Sequence, residues 1–166
     1  MSGATFERAG ILPHMAIADR SAEIAALYQE LILDHYRRPR NKGELEGATS
    51  SAIMKNPLCG DEVALHVKLD GDTVSDLRFS GRGCSISQAS ASMMTQLVKG
   101  KSAGEIEQLR NTFRDMVMGT TVADDTAAGK LGSLRALGGV SRFPARVKCA
   151  LLAWNALDSA MSEGSG

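Results

Sequence analysis

Three thiols and one carboxylate are the side chains of this sequence best equipped for chemistry. Cys59 lies in Asn56-Pro57-Leu58-Cys59-Gly60-Asp61, where Pro and Gly make a tight loop just ahead of a strand and Asp61 follows two residues later. Cys84 lies in Ser80-Gly81-Arg82-Gly83-Cys84-Ser85, a glycine loop running into a helix, and Cys149 follows Phe143-Pro144-Ala145-Arg146-Val147-Lys148. Two of the thiols are thus expected at or near helix N-termini, where the macrodipole and free backbone N–H groups favour thiolate over thiol. Cys59, Asp61, Cys84 and Cys149 together make a complete tetrahedral donor set for zinc, and the same set suits a [2Fe-2S] cluster. Either centre would carry excess negative charge, and Arg82, Arg146 and Lys148 are placed in sequence to offset it. Spacing by itself leaves the matter open. There is no Cys-x-x-Cys pair, and scattered cysteines are commonly inert packing residues.

The elements that must bring these residues together can be read from periodicity. Ile24, Leu27, Tyr28 and Leu31 predict an amphipathic helix from about Ser21 to Tyr36, ending before Pro39 and covering the core. Val63, Leu65, Val67 and Leu69 alternate with Glu62, Ala64, His66 and Lys68, the period-2 pattern of a strand. Asp70-Gly71-Asp72 then turns the chain into a returning strand with Leu77 and Phe79, and a weaker strand is expected around Ser50 to Met54. Ile86, Ala89, Met93, Met94 and Leu97 mark a helix ending at Gly100, and Ser102 with Glu105 forms a capping box for the next, with Ile106, Leu109, Phe113 and Val117 inward. The stretch from Gly119 to about Gly139 is polar and glycine-spaced, with a short helix near Ala127 to Leu137 and no assigned role. Pro144 suits the first turn of a final helix whose Val147, Ala150, Leu151, Trp154 and Leu157 face inward. The order predicts an α+β fold, a small antiparallel sheet of about three strands with helices on one face.

Composition narrows the function classes. At 166 residues and 43% hydrophobic content the chain builds one ordinary core, so residues 21–166 are expected to form a single domain behind a loosely ordered extension over residues 1–20. Lys plus Arg and Asp plus Glu each total 19, leaving no net field to gather nucleic acid or an anionic membrane. Three cysteines are too few and too odd for a disulfide framework. No run of about 18 apolar residues occurs, and the expectation is a cytoplasmic protein with reduced thiols. The other candidate residues have plain readings: His66 as a solvated strand residue, His35 as a hydrogen-bonded residue fixing the Arg38-Pro39-Arg40-Asn41 turn, His14 in the extension, and Asp124 with Asp125 in a solvated loop. Neither a nucleophile-histidine-acid triad nor a phosphate-binding glycine loop is evident.

Over about residues 22 to 161 the chain resembles the U-type proteins of iron-sulfur cluster assembly (IscU/NifU-N-terminal-like). The resemblance is carried by Leu27-Tyr28, Asp34-His35-Tyr36 with Pro39-Arg40-Asn41, Asn56 through Asp61, Gly83-Cys84-Ser85-Ile86-Ser87 and Val147-Lys148-Cys149. It implies Cys59, Asp61, Cys84 and Cys149 as metal ligands on the fold read above. Two branches of the family differ in their work: scaffolds assemble a cluster, whereas SufU-like members hold zinc and accept persulfide sulfur from a cysteine desulfurase. Lys148 stands where scaffolds carry histidine, Phe143-Pro144-Ala145-Arg146 replaces their Leu-Pro-Pro-Val-Lys motif, and the Cys84 to Cys149 interval is longer than theirs. These departures point to the SufU-like branch, with Zn2+ as cofactor, Cys59 as sulfur acceptor, a SufS-like cysteine desulfurase as donor and downstream iron-sulfur assembly proteins as recipients. A [2Fe-2S] scaffold on the same ligands is the alternative, and a purely structural zinc domain the third. Within the mechanism, Cys59 is expected to be the mobile ligand because it rides on a Pro/Gly loop, with Arg142 or Arg146 docking an acidic partner surface.

Overall fold

A computed structural model describes residue 20 and residues 22–58, 60–120 and 127–165. Residues 1–19 of the expected extension, His14 among them, and Cys59, Asp124 and Asp125 lie outside the described residues. Three strands, β1 (Ser50–Asn56), β2 (Asp61–Asp70) and β3 (Thr73–Arg82), form an antiparallel meander in the order β1-β2-β3. Alternation sets the two faces. Ala52, Met54 and Asn56 stand opposite Leu65, Val63 and Asp61, and Val63, Leu65 and Val67 stand opposite Gly81, Phe79 and Leu77. The inner face is therefore an apolar row that ends, at the start of β2, in the carboxylate of Asp61. A register shift between Lys68 and Leu69 twists the far end of the hairpin.

Helix α1 covers residues 22–37, α2 Ser85–Val98, α3 Ala103–Val117 and α4 Pro144–Ser165, with a 3-10 segment over Ala128–Arg142. α4 packs on β1 and β2, α2 packs on β3 and α4, and α3 lies against the 3-10 segment. The capping box at Ser102 and Glu105 opens α3 as expected. Phe113 of α3 stacks on the buried Trp154 of α4 with ring centroids 5.6 Å apart, locking the outer helix layer to the inner one.

Two expectations need correction. Of the stripe expected on α1 only Tyr28 meets the core: Ile24, Leu27 and Leu31 are exposed, Leu27 by 63%. Only Tyr28 and Ile32, one turn apart, pack partly against the core, so the inward face of α1 is rotated from the predicted one. The short helix expected near Ala127 to Leu137 is present, but as a longer 3-10 segment with a buried side rather than a short helix in a polar stretch. Ala128, Leu131, Leu134, Leu137 and Val140 are all buried and recur every third residue, the period of a 3-10 helix rather than an α-helix. A break at Gly132, with φ of 57°, divides it.

Candidate metal centre

The β1–β2 hairpin loop is shaped by Asn56, whose backbone carbonyl accepts from Gly60 N–H at 2.9 Å and whose side-chain oxygen accepts from Leu58 N–H at 3.3 Å. This is the local consequence of Asn-Pro at a strand end followed by Gly60, whose φ of 70° favours glycine. Leu58 is left 84% exposed at the loop tip. Asp61 follows on the inner face of the sheet and is only 2% exposed.

The second arm of the site is the loop from β3 into α2. Cys84 is the N-cap residue of α2, exposed and making no side-chain cap of its own. Its backbone N–H donates instead to Asp61 Oδ1 at 2.8 Å, and its Sγ lies 3.4 Å from Asp61 Oδ2. The carboxylate is thereby split between two tasks. One oxygen satisfies a helix-start amide; the other faces the thiol. Ser87, wholly buried one turn into α2, donates to the Cys84 carbonyl at 3.2 Å and accepts from Gln88 Nε2 at 3.3 Å. The third arm is Cys149, 3% exposed, in the second turn of α4, with its thiol 3.5 Å from the carbonyl of Ala145.

Asp61, Cys84 and Cys149 each offer one donor atom, and all three atoms lie within 4.8 Å of one another. Zinc–sulfur and zinc–oxygen bonds of about 2.3 and 2.1 Å at a tetrahedral angle require sulfur and oxygen to lie about 3.6 Å apart. The 3.4 Å between Cys84 Sγ and Asp61 Oδ2 fits that edge. Two sulfurs and an oxygen converging on one point suit zinc or an iron-sulfur cluster far better than a hard cation that prefers all-oxygen sites. Cys59 lies outside the described residues, but two residues of chain span at most about 7 Å, so its backbone is tied to that of Asp61.

The remaining candidates are not in this cluster. His66 bridges Ser51 and Ser80 across the outer face of the sheet, at 3.0 and 3.2 Å. His35 is buried, its Nδ1 2.7 Å from Ser92 Oγ, which also accepts from Arg40 N–H at 2.9 Å. It fixes the 38–41 turn, as its sequence context suggests. Burial, aided by Arg40 and opposed by Asp34, holds the His35 imidazole below its ordinary pKa. Arg82, Arg142, Arg146 and Lys148 are exposed, with the Arg146 guanidinium over the Phe143 ring at 4.9 Å. Sequence reasoning gave no task to Asn56, Gly83 or Ser87. Only Asn-Pro at a strand end and glycine ahead of a helix were there to signal them.

Fold and site together define a class: a small α+β domain whose strand start and two helix starts bring a carboxylate and two thiols together at one end of the sheet, where they could hold a metal ion. Residues 27–150 match the family described as NifU-like N terminal domain. The chain belongs to this family. It is 47% identical over 146 residues to the zinc-dependent sulfurtransferase SufU of Bacillus subtilis, covering 88% of this chain and 97% of that protein. It is 43% identical over 139 residues to the iron-sulfur cluster assembly scaffold protein IscU of Streptococcus pyogenes, covering 84% and 85%. Among solved structures it is similar to a putative iron-sulfur cluster assembly scaffold protein for the SUF system from Fervidobacterium islandicum, with TM-score 0.72, 35% identity and coverage of 80% and 94%. The expected α+β fold is thus the fold of the family.

Proposed function

We propose that this protein is a zinc-dependent sulfur acceptor of iron-sulfur cluster assembly, taking persulfide sulfur from a SufS-like cysteine desulfurase onto Cys59. Convergence of an Asp61 carboxylate oxygen, Cys84 Sγ and Cys149 Sγ carries the reading, with Cys59, two residues before Asp61 in sequence, as the fourth ligand. Similarity to a protein named as a zinc-dependent sulfurtransferase supports zinc over a cluster. When bound, zinc would keep the cysteines as shielded thiolates.

The other steps belong to the chain's own residues. Asp61, Cys84 and Cys149 spring from a strand and two helices and stay in place. Cys59, freed as the mobile ligand, would attack the outer sulfur of the donor's persulfide with its thiolate. The donor's S–S bond breaks, a new S–S bond forms on Cys59, and the donor cysteine departs as thiolate with no external oxidant. Exposed Leu58, Phe143, Arg142 and Arg146 support docking of an acidic, partly apolar protein surface. Delivery to downstream assembly proteins in a cytoplasmic setting belongs to the same proposal. Among the described residues no helix is long and apolar enough to cross a membrane.

The similarity to an IscU scaffold supports a second reading, a [2Fe-2S] cluster assembled on the same ligands. Metal analysis of freshly purified protein separates the two. The sulfur-acceptor reading requires about one zinc per chain and no colour; stoichiometric iron with visible absorption overturns it in favour of the scaffold. Cys59→Ser should abolish stimulation of the desulfurase, and mass spectrometry should find the added sulfur on the Cys59 peptide. Sulfur on Cys84 or Cys149 instead, or full stimulation by the variant, defeats the assignment.

A further inference from the structure

Gly83 sits between β3 and α2 with φ of 156°, and the space its missing side chain would fill is already taken. A Cβ built there falls 2.4 Å from Asp61 Oδ1, 2.8 Å from Asp61 Cγ and 2.7 Å from Ser87 Oγ. These are distances that real Cβ atoms do not show. The neighbouring glycines of the site are different in kind: a Cβ on Gly60 meets nothing within 4 Å, and one on Gly81 meets the backbone of Glu62. Among the described glycines, Gly83 alone has its Cβ position inside the side chain of a candidate ligand.

The oxygen that a methyl group would strike first is the one that accepts from Cys84 N–H at 2.8 Å. Buried Ser87 closes the other side, so the methyl has no free direction in which to turn. With Oδ1 pinned, Oδ2 is the oxygen left facing Cys84 Sγ at 3.4 Å. We propose that Gly83 is a positioning residue for the metal centre: its bare Cα lets the Asp61 carboxylate lock against the Cys84 amide and present Oδ2 alone to the metal. This rests on the reading of Asp61 as a ligand, and it specifies the mode, one oxygen rather than two. A carboxylate held on its far side by a backbone amide is a fixed ligand, and the ligand free to leave is then the cysteine on the hairpin loop.

The test is a double-mutant cycle on zinc affinity, measured by chelator competition, with the cobalt(II)-loaded absorption spectrum as a second readout. Gly83→Ala should weaken zinc about 10- to 100-fold, the usual effect of losing a group that orients a ligand. It should also give the altered cobalt spectrum of Asp61→Ala, and Gly83→Ala added to Asp61→Ala should change neither readout further, because the side chain through which Gly83 acts is already gone. Additive losses, or a wild-type cobalt spectrum in Gly83→Ala, would overturn the proposal. An unchanged affinity and spectrum in Asp61→Ala would instead sink the ligand reading itself. Should Gly83→Ala fail to fold, the measurement is made in a Ser87→Gly background, which removes the other clash: recovery of the folded state on adding Asp61→Gly supports the steric link to the carboxylate, and no recovery refutes it.

Discussion

Stripping the metal should lower the thermal stability of this domain substantially without unfolding it. The donor atoms come from the start of β2, the cap of α2 and the second turn of α4, and 23 residues separate Asp61 from Cys84 alone. A bound ion would therefore staple the starts of three elements to one another. Binding to the folded state contributes about 4 kcal/mol when free zinc stands about 1,000-fold above its dissociation constant. For a chain of this size each kcal/mol moves Tm by about 2–4 °C, giving a fall of about 8–16 °C on chelation. The apo protein should nonetheless stay folded, because Val63, Leu65, Phe79, Phe113 and Trp154 are buried in a core that does not include the centre. In this it differs from small zinc modules that lack a core of their own. The assay is calorimetry with and without chelator, zinc loss being verified by metal analysis, together with amide exchange. Exchange should quicken at the first turns of α2 and α4 and stay slow in β2 and β3. An unchanged Tm in verified zinc-free protein would refute the stapling argument, and complete unfolding would refute the claim that the core stands alone.

Other expectations follow from burial and charge. Trp154→Ala should cost about 3–5 kcal/mol in urea denaturation, since the ring is 1% exposed and stacked on Phe113, whereas Leu27→Ser should stay within about 0.5 kcal/mol because α1 leaves that side chain in solvent. His35 should make metal-free protein lose stability as pH falls below about 6.5: the unfolded chain takes up the proton there while the folded chain, its imidazole pKa lowered chiefly by burial, does not. Stability is then fully present above that pH, and His35→Gln should flatten the decline of Tm between pH 7 and 5; an equal slope in both proteins would remove His35 as its source.

What could be read in the sequence, and what could not, follows from the range of the interactions. The hairpin, the capping box at Ser102 and the start of α4 at Pro144 are local, and their signals lie within a few residues. The 3-10 segment was equally local, yet the buried row from Ala128 through Leu131, Leu134 and Leu137 to Val140 was visible only to a reader testing a period of three instead of 3.6 or 2. The outward turn of the α1 stripe was not local. Which side of that helix packs is decided by where Tyr28 and Ile32 meet the rest of the fold, and amphipathicity alone supplies no azimuth. The site divides along the same line. Its candidate ligands stood out because each lies at a junction marked by Pro or Gly, since a strand or helix start is where a side chain and free amides can face a common point. The split of Asp61 between the Cys84 amide and the Cys84 thiol, and the need for a bare Cα at Gly83, depend on segments 23 residues apart meeting within a few ångströms. Residue types therefore raised the expectation of a thiol-rich centre, while only the fold shows Asp61 Oδ1 accepting from the Cys84 amide and Oδ2 left facing the Cys84 thiol.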